Sequence, residues 1–414
     1  MKSAMNRLSG TLRAEWIVPV DGPPVRNGVI TIKDGVIKSL MGNAPSRPNE
    51  IELGQVVLFP GLINAHTHLE FSDLKQPLGY PGIPFTDWIL LVVQQRMLQT
   101  NQPGEADAKF QSIEHGFAES RHAGVSHLGE IATGSLNSAA YTRQESPCAT
   151  VFLELLGRDD RQLEQKLSDV RSGLDRLRLS SSLPGISPHA SYSVSPRLLD
   201  RTIELASNRE LPVAMHLAES KAELELLRNL DGPFVPLLQR LGAWFPESYS
   251  KHTRPLDYLQ KLSRLSQVLI VHGNYLAGDE LEFISQHKSR FSIAYCPRTH
   301  QFFGHDPYPL GQMLRLGINV ALGTDSRASN PDLNLLKEMK TVRESFPDIG
   351  LDQIVEMATL GGAKALGLQR QLGSLTTGKQ AVFCVAPLND KSLDDPYAGI
   401  VNADDARLYD FMHA

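Results

Sequence analysis

The chain has 414 residues, 41% hydrophobic and 21% charged, and 41 Lys and Arg against 46 Asp and Glu leave a net charge of −5. This is the composition of a folded globular protein; it excludes a disordered chain and offers no basic face for nucleic acid. The most apolar run, at 88–93, falls far short of the roughly 18 residues that span a bilayer.

The first 58 residues read as β: runs at 11–20, 28–40 and 54–60 are rich in β-branched residues and separated by Gly, Pro, Asn and Asp. Within the second run, Lys33-Asp34-Gly35 predicts a tight hairpin turn. From 59 to 365 short apolar runs alternate with amphipathic stretches such as 163–179 and 196–210, the signature of βα units on a parallel sheet. Strands are predicted at 58–65, 124–131, 150–157, 183–188, 211–217, 267–273, 291–297 and 318–325. Eight such units predict a (β/α)8 TIM-type barrel. The tail turns β-like again at 373–387 and 398–410. The two ends, 1–58 and 366–414, are therefore expected to join in one small β-sandwich domain beside a barrel at 59–365. A doubly wound sheet is the alternative, disfavoured because no G-x-G-x-x-G follows an early strand.

Polar residues cluster at the predicted strand ends. His66 and His68 form H-x-H after the first strand, and alternation in an extended chain turns both rings to one side. His216 and Glu219 end the fifth strand, His272 the sixth and Asp325 the eighth. In a barrel these C-terminal ends converge on the face that carries active sites. Three imidazoles and one carboxylate make a donor set suited to Zn²⁺ or Fe²⁺. No lysine stands at a strand end to bridge two ions, which favours one metal. Cys148, Cys296 and Cys384 contain no C-x-x-C and are too few for a disulfide framework. The N-terminus has no apolar signal segment. A reducing, cytoplasmic setting is expected, with Cys296 simply buried.

At these residues the sequence resembles the amidohydrolase superfamily, in its cytosine deaminase/chlorohydrolase-like branch. The segments FPGLINAHTHLEFS, HLAES, VHGNYL, CPRTH and LGTDS match in order, as does GSLTTGKQAVFCV near the C-terminus. The resemblance implies that His66, His68, His216 and Asp325 hold one divalent ion, Zn²⁺ ahead of Fe²⁺, with Glu219 and His272 as catalytic groups. HLAE and SPHASYSVSP look most like aminopurine nucleoside deaminases, and CPRTHQFFGH like the aminodeoxyfutalosine deaminases of menaquinone biosynthesis. Two departures stand out: Thr299-His300 where many members read Ser-Asn, and Val382 where Asp is usual.

A bound ion makes water acidic enough to attack at neutral pH. Glu219 would take that proton and pass it to a ring nitrogen, His272 would stabilise the tetrahedral centre, and Asp325 would accept a second proton. Expected substrate contacts are His189, Trp88, and Arg298 with His300 on a carboxylate. Trp244, Phe302 and Phe303 are read as an apolar lid; His115, His122 and His127 as structural or exposed. The predicted partner is a small heterocyclic amine, with no membrane or nucleic acid, and a homo-oligomer is compatible with the sequence. A triazine-type hydrolase shares the same ligand set, whereas a non-catalytic scaffold would be expected to have lost it.

Overall fold

The structure, a computed structural model, describes residues 9–45, 49–100, 104–134, 140–141, 148–389 and 392–409. Its N-terminal strands are β1 (Gly10–Ile17), β2 (Val25–Lys33), β3 (Val36–Gly42), β4 (Glu50–Glu52) and β5 (Val56–Pro60). β1 pairs antiparallel with β2, and β2 with β3 across the expected turn, where Asp34 and Gly35 both take positive φ of 53° and 72°. Such a turn matches the right-handed twist of the strands it joins.

Gly61 divides the next run between two sheets. β5 pairs with β1 and, across the small sheet, with the C-terminal strand, while β6 (Leu62–Thr67) enters the barrel. The single strand predicted at 58–65 is therefore two. The barrel continues with β7 (Val125–Ala132), β8 (Cys148–Leu155), β9 (Leu183–Pro188), β10 (Val213–Leu217), β11 (Val268–His272), β12 (Phe291–Tyr295) and β13 (Asn319–Leu322), each parallel to its predecessor. The ring closes where the N–H groups of Thr324 and Asp325 both donate to the His66 carbonyl, at 3.1 Å each.

Strands β10, β11 and β12 are buried along their whole length, as strands covered on both faces must be. Outward residues such as Val151, Ile270 and Ile293 meet helix residues Leu167, Leu259 and Leu281 in one core. Inward residues Ile63, Phe152, Ala214, Val271 and Ala321 form a second, joined by Ala363, Ala365 and Leu366 from and just beyond the helix Leu360–Ala365. Side chains thus fill the barrel, and its C-terminal mouth is left for chemistry.

Past the barrel the chain returns to the small sheet. β14 (Phe383–Pro387) pairs antiparallel with β5, and β15 (Arg407–Leu408) with β14, so both chain ends share a seven-stranded sheet. Its core includes Leu12, Ile30, Ile37, Leu58 and Phe383. One part of the β-like tail is helix instead: Pro396–Val401 starts with proline in its first turn, and the Asp395 side chain accepts from the Ala398 N–H at 3.0 Å. That cap overrides the β-branched Ile400-Val401 pair, because a satisfied first turn outweighs a weak strand preference. Among the described residues no helix is long and apolar enough to cross a membrane.

Candidate metal centre

Four strand ends bring five titratable side chains to one point. The His66 and His68 rings meet edge to face at 4.9 Å, His66 and His216 at 4.9 Å, and His216 and His272 lie 5.4 Å apart. Asp325 Oδ1 stands 3.5 Å from His66 Nε2 and 3.8 Å from His68 Nε2. Ligand atoms of His66, His216 and His272, and likewise of His66, His68 and Asp325, fall within 4.8 Å of one another. Two of the supporting residues sit in strained backbone: His272 and Asp325 have φ of 67° and 55°. Left-handed conformation in non-glycine residues is costly and concentrates at functional sites.

The donor chemistry fits a cation. Both ring nitrogens of His66, and Nδ1 of His68, are buried without a hydrogen-bond partner. Buried polar atoms are normally satisfied, and a cation at the centre would take one nitrogen of each ring, the two nitrogens of one imidazole pointing apart. His216 Nδ1 lies 3.2 Å from the His189 carbonyl; an N–H donated there leaves Nε2 with its lone pair facing the centre. Burial, reinforced by the neighbouring His66, lowers His68 to about 4, and burial lowers His272 to about 3. His216 is pushed well down by burial and by the surrounding imidazoles. Neutral imidazoles are the form that ligates metal. Burial acts to raise Asp325, but His66, His272 and His68 together hold its carboxyl below the usual range. Its Oδ2 accepts from Ser329 Oγ at 2.9 Å.

Glu219 faces this cluster from the turn after β10, with Oε1 3.4 Å from His272 Nε2. Burial first, then the charges of Asp325 and Glu223, push its carboxyl well above the usual range. The turn is fastened by a residue that the sequence reading missed. Buried Glu223 accepts from the Ala218 N–H (3.1 Å), the Glu219 N–H (2.8 Å) and Ser191 Oγ (2.6 Å). Ser220-Lys-Ala-Glu223 has capping-box spacing, a signal that was available. Asn274 Nδ2 donates to the Glu219 carbonyl at 2.9 Å and holds the other side.

A cavity of about 360 Å³ opens from the cluster, and His68, His216, Glu219, His272 and Asp325 line its inner end. Of the expected substrate contacts, His189 and Trp88 line it. His189 Nδ1 lies 2.6 Å from Ser193 Oγ, and its Nε2 stands 3.8 Å from Glu154. Trp88 Nε1 donates to the Ala328 carbonyl at 2.9 Å, and its ring packs on Phe85 and Phe303. Arg298 and His300 do not line the cavity. Arg298 is an ion-pair partner of Asp332 at 2.7 Å, and His300 packs among Tyr295, His305 and Tyr308. The helix Pro297–Phe303 begins one residue after Cys296 and carries both away from the mouth.

Phe303 joins the apolar wall behind Trp88, while Trp244 stacks on Tyr249, so both lie in the covering cluster and not on the cavity surface. His115 pairs with Asp73 at the surface, His122 turns to its own helix, and buried His127 meets Thr150. Behind His68 runs a buried network absent from the sequence reading. Arg96 binds Glu70 at 2.6 Å and Thr133 at 3.2 Å, and Thr133 Oγ1 donates to Glu154 at 2.6 Å.

A family model described as "Amidohydrolase family" matches residues 57–407. A 5-methylthioadenosine/S-adenosylhomocysteine deaminase of Moorella thermoacetica is 27% identical over 399 residues, covering 92% of this chain and 86% of the relative. An aminodeoxyfutalosine deaminase of Deinococcus radiodurans is 26% identical over 329 residues, covering 76% and 75%. The aminofutalosine deaminase of Helicobacter pylori, solved with methylthio-coformycin, shares the fold at TM-score 0.81 and 24% identity, covering 97% of this chain and 98% of its own.

Proposed function

This chain belongs to the amidohydrolase family, and on that premise we propose that it is a hydrolytic deaminase of a 6-aminopurine nucleoside. His66, His68, His216 and Asp325 would hold one divalent cation, for which the N3O donor set favours Zn²⁺. When bound, that cation lowers the pKa of water enough for attack at neutral pH. The observation that carries the reading is Glu219, a buried carboxyl with its pKa displaced upward beside the ligand cluster, facing a mostly apolar cavity. Such a carboxyl suits a shuttle: it takes a proton from the attacking water and delivers it to the purine nitrogen next to the amino-bearing carbon. His272 Nε2, 3.4 Å from Glu219 Oε1, is placed to hydrogen-bond the oxygen added at that carbon. Ionised Asp325 accepts the second water proton before the C–N bond breaks and ammonia leaves. His189 and Trp88 orient the nucleoside, the imidazole by hydrogen bonding and the indole edge by packing.

Among such nucleosides we favour aminodeoxyfutalosine, converted to futalosine and ammonia, a cytoplasmic step of menaquinone biosynthesis. Two features support this over S-adenosylhomocysteine. The cavity wall beyond the metal end is largely apolar, with Ile89, Val92, Leu237 and Leu241. Among the described residues its lining carboxylates are Glu219 and Asp325, both in the strand-end cluster, so none of these residues offers a carboxylate to the ammonium of an amino-acid substituent. The test is ammonia release from aminodeoxyfutalosine, 5′-methylthioadenosine, S-adenosylhomocysteine, adenosine and a chlorotriazine. The highest kcat/KM is expected with the first; turnover of the triazine alone would overturn the deaminase reading.

A further inference from the structure

We infer that Glu154 is a positioning residue: it fixes which nitrogen of His189 carries the proton, so that the cavity wall presents an N–H donor to the bound nucleoside. The inference rests on the deaminase reading and concerns a carboxylate that the proposed chemistry leaves unused. Along β8, Val151 and Leu153 turn outward into the helix layer, while Phe152 turns into the barrel. Alternation therefore sends Glu154 inward as well, at the C-terminal end of the third barrel strand. It sits just behind the cavity wall that His189 forms.

The two oxygens of Glu154 are treated differently. Oε2 accepts from Thr133 Oγ1 at 2.6 Å, and that hydroxyl in turn accepts from Arg96 Nη2 at 3.2 Å. Arg96 is itself tied to Glu70 at 2.6 Å, so the carboxylate is held from behind. Oε1 is buried with no hydrogen-bond partner among the described residues, and it faces His189 Nε2 at 3.8 Å. Burial acts to raise Glu154, but His189, Arg96 and His68, with the Thr133 hydroxyl, hold its carboxyl below the usual range, so the group is ionised. A buried anionic oxygen without a donor is costly, and the imidazole nitrogen in front of it is the group that can relieve the cost.

Burial lowers His189, against the pull of Glu154, and a neutral imidazole has one N–H to place. The partner of Nδ1 accepts either choice. Ser193 Oγ, 2.6 Å away, can donate its hydrogen to Nδ1, or accept one and turn its own to the Ala190 carbonyl at 3.2 Å. The tautomer is therefore set at the other nitrogen. A bare Nε2 would set its lone pair against the carboxylate; a protonated Nε2 is attracted to it. At 3.8 Å the Nε2–H is too far from Oε1 for a full hydrogen bond, which leaves it available to an acceptor atom of the ligand.

The test replaces Glu154 with Gln, which keeps the size and puts an amide N–H donor where Oε1 stands. Nitrogen NMR of isotope-labelled, Zn²⁺-loaded protein reads the tautomer, with the His189 signals identified by their loss in His189→Asn. Wild type should be protonated at Nε2 and Glu154→Gln at Nδ1. With 5′-methylthioadenosine, Glu154→Gln should raise KM about 10- to 100-fold and leave kcat within about threefold, because the lost contact serves ground and transition states alike. A wild-type ring protonated at Nδ1 would overturn the assignment whether or not the variant folds. So would a tautomer, or a KM, unchanged in Glu154→Gln. Lack of ammonia from any aminopurine nucleoside would instead strike the deaminase reading, since the tautomer is read without turnover.

Discussion

Replacing Glu219 with Gln removes a proton carrier and little else. The side chain keeps its size, and the turn that presents it is held by main-chain contacts that Gln preserves: the Glu219 N–H to Glu223 at 2.8 Å and Asn274 to the Glu219 carbonyl at 2.9 Å. General acid–base catalysis by one group is worth about 10²- to 10⁴-fold, or roughly 3–5 kcal/mol of barrier. The upper half of that range is expected. Among the described residues the other carboxylate lining the cavity is Asp325, which faces His66 and His68, accepts from Ser329 and takes the second proton, so no further carboxylate is free to take the first. Steady-state ammonia release should therefore show kcat lowered about 10³- to 10⁴-fold with metal content unchanged. Because burial, aided by Asp325 and Glu223, raises Glu219, the variant should also gain stability at neutral pH in metal-free protein, where wild type ionises on unfolding and the amide does not. Glu219→Gln protein that keeps its metal and more than a tenth of wild-type kcat would refute the shuttle.

Two further predictions follow from groups that position the site. Glu223→Ala removes the acceptor of two backbone N–H groups and Ser191 Oγ, and should cost about 2–4 kcal/mol of stability. It should also lower kcat through Glu219 misplacement, with metal content retained; an unaltered denaturation midpoint would count against the buried acceptor. Glu338 is raised from 4.5 to about 7 by burial, against the pull of Arg298. A raised carboxyl favours the folded state when protonated, so its contribution is complete below pH 4.5 and lost as pH rises through 7. Over that window wild type should lose up to about 3 kcal/mol relative to Glu338→Gln, which does not titrate; parallel stability curves from pH 4.5 to 8 would contradict this.

Where the sequence was legible, an apolar run ended in a residue whose chemistry is unusual at a strand end. His272 and Asp325 follow buried strands, so their positions on the barrel mouth could be read without coordinates. Glu70, Glu154 and Glu223 could not be read that way. A glutamate beside a helix or in a strand is ordinarily solvated, and only the packing of the short turn Leu69–Phe71, β8 and the helix Lys221–Asn229 around Arg96 and Ser191 buries these three. Arg298 was misread for the converse reason. It follows a strand, as the ligands do, but the helix that starts at Pro297 turns it toward Asp332 and Glu338. At Gly61 the run stays apolar throughout, so nothing in periodicity marks the change from one sheet to the other.

The account turns on a cation held by the strand-end cluster. Elemental analysis of purified protein, with ammonia release measured on the same sample, tests this most directly. About one equivalent of divalent metal per chain is predicted, together with deamination that chelation abolishes and Zn²⁺ restores, and with both lost in His66→Ala. Folded wild-type protein that takes up no metal on reconstitution, or that deaminates equally well without it, would contradict the account.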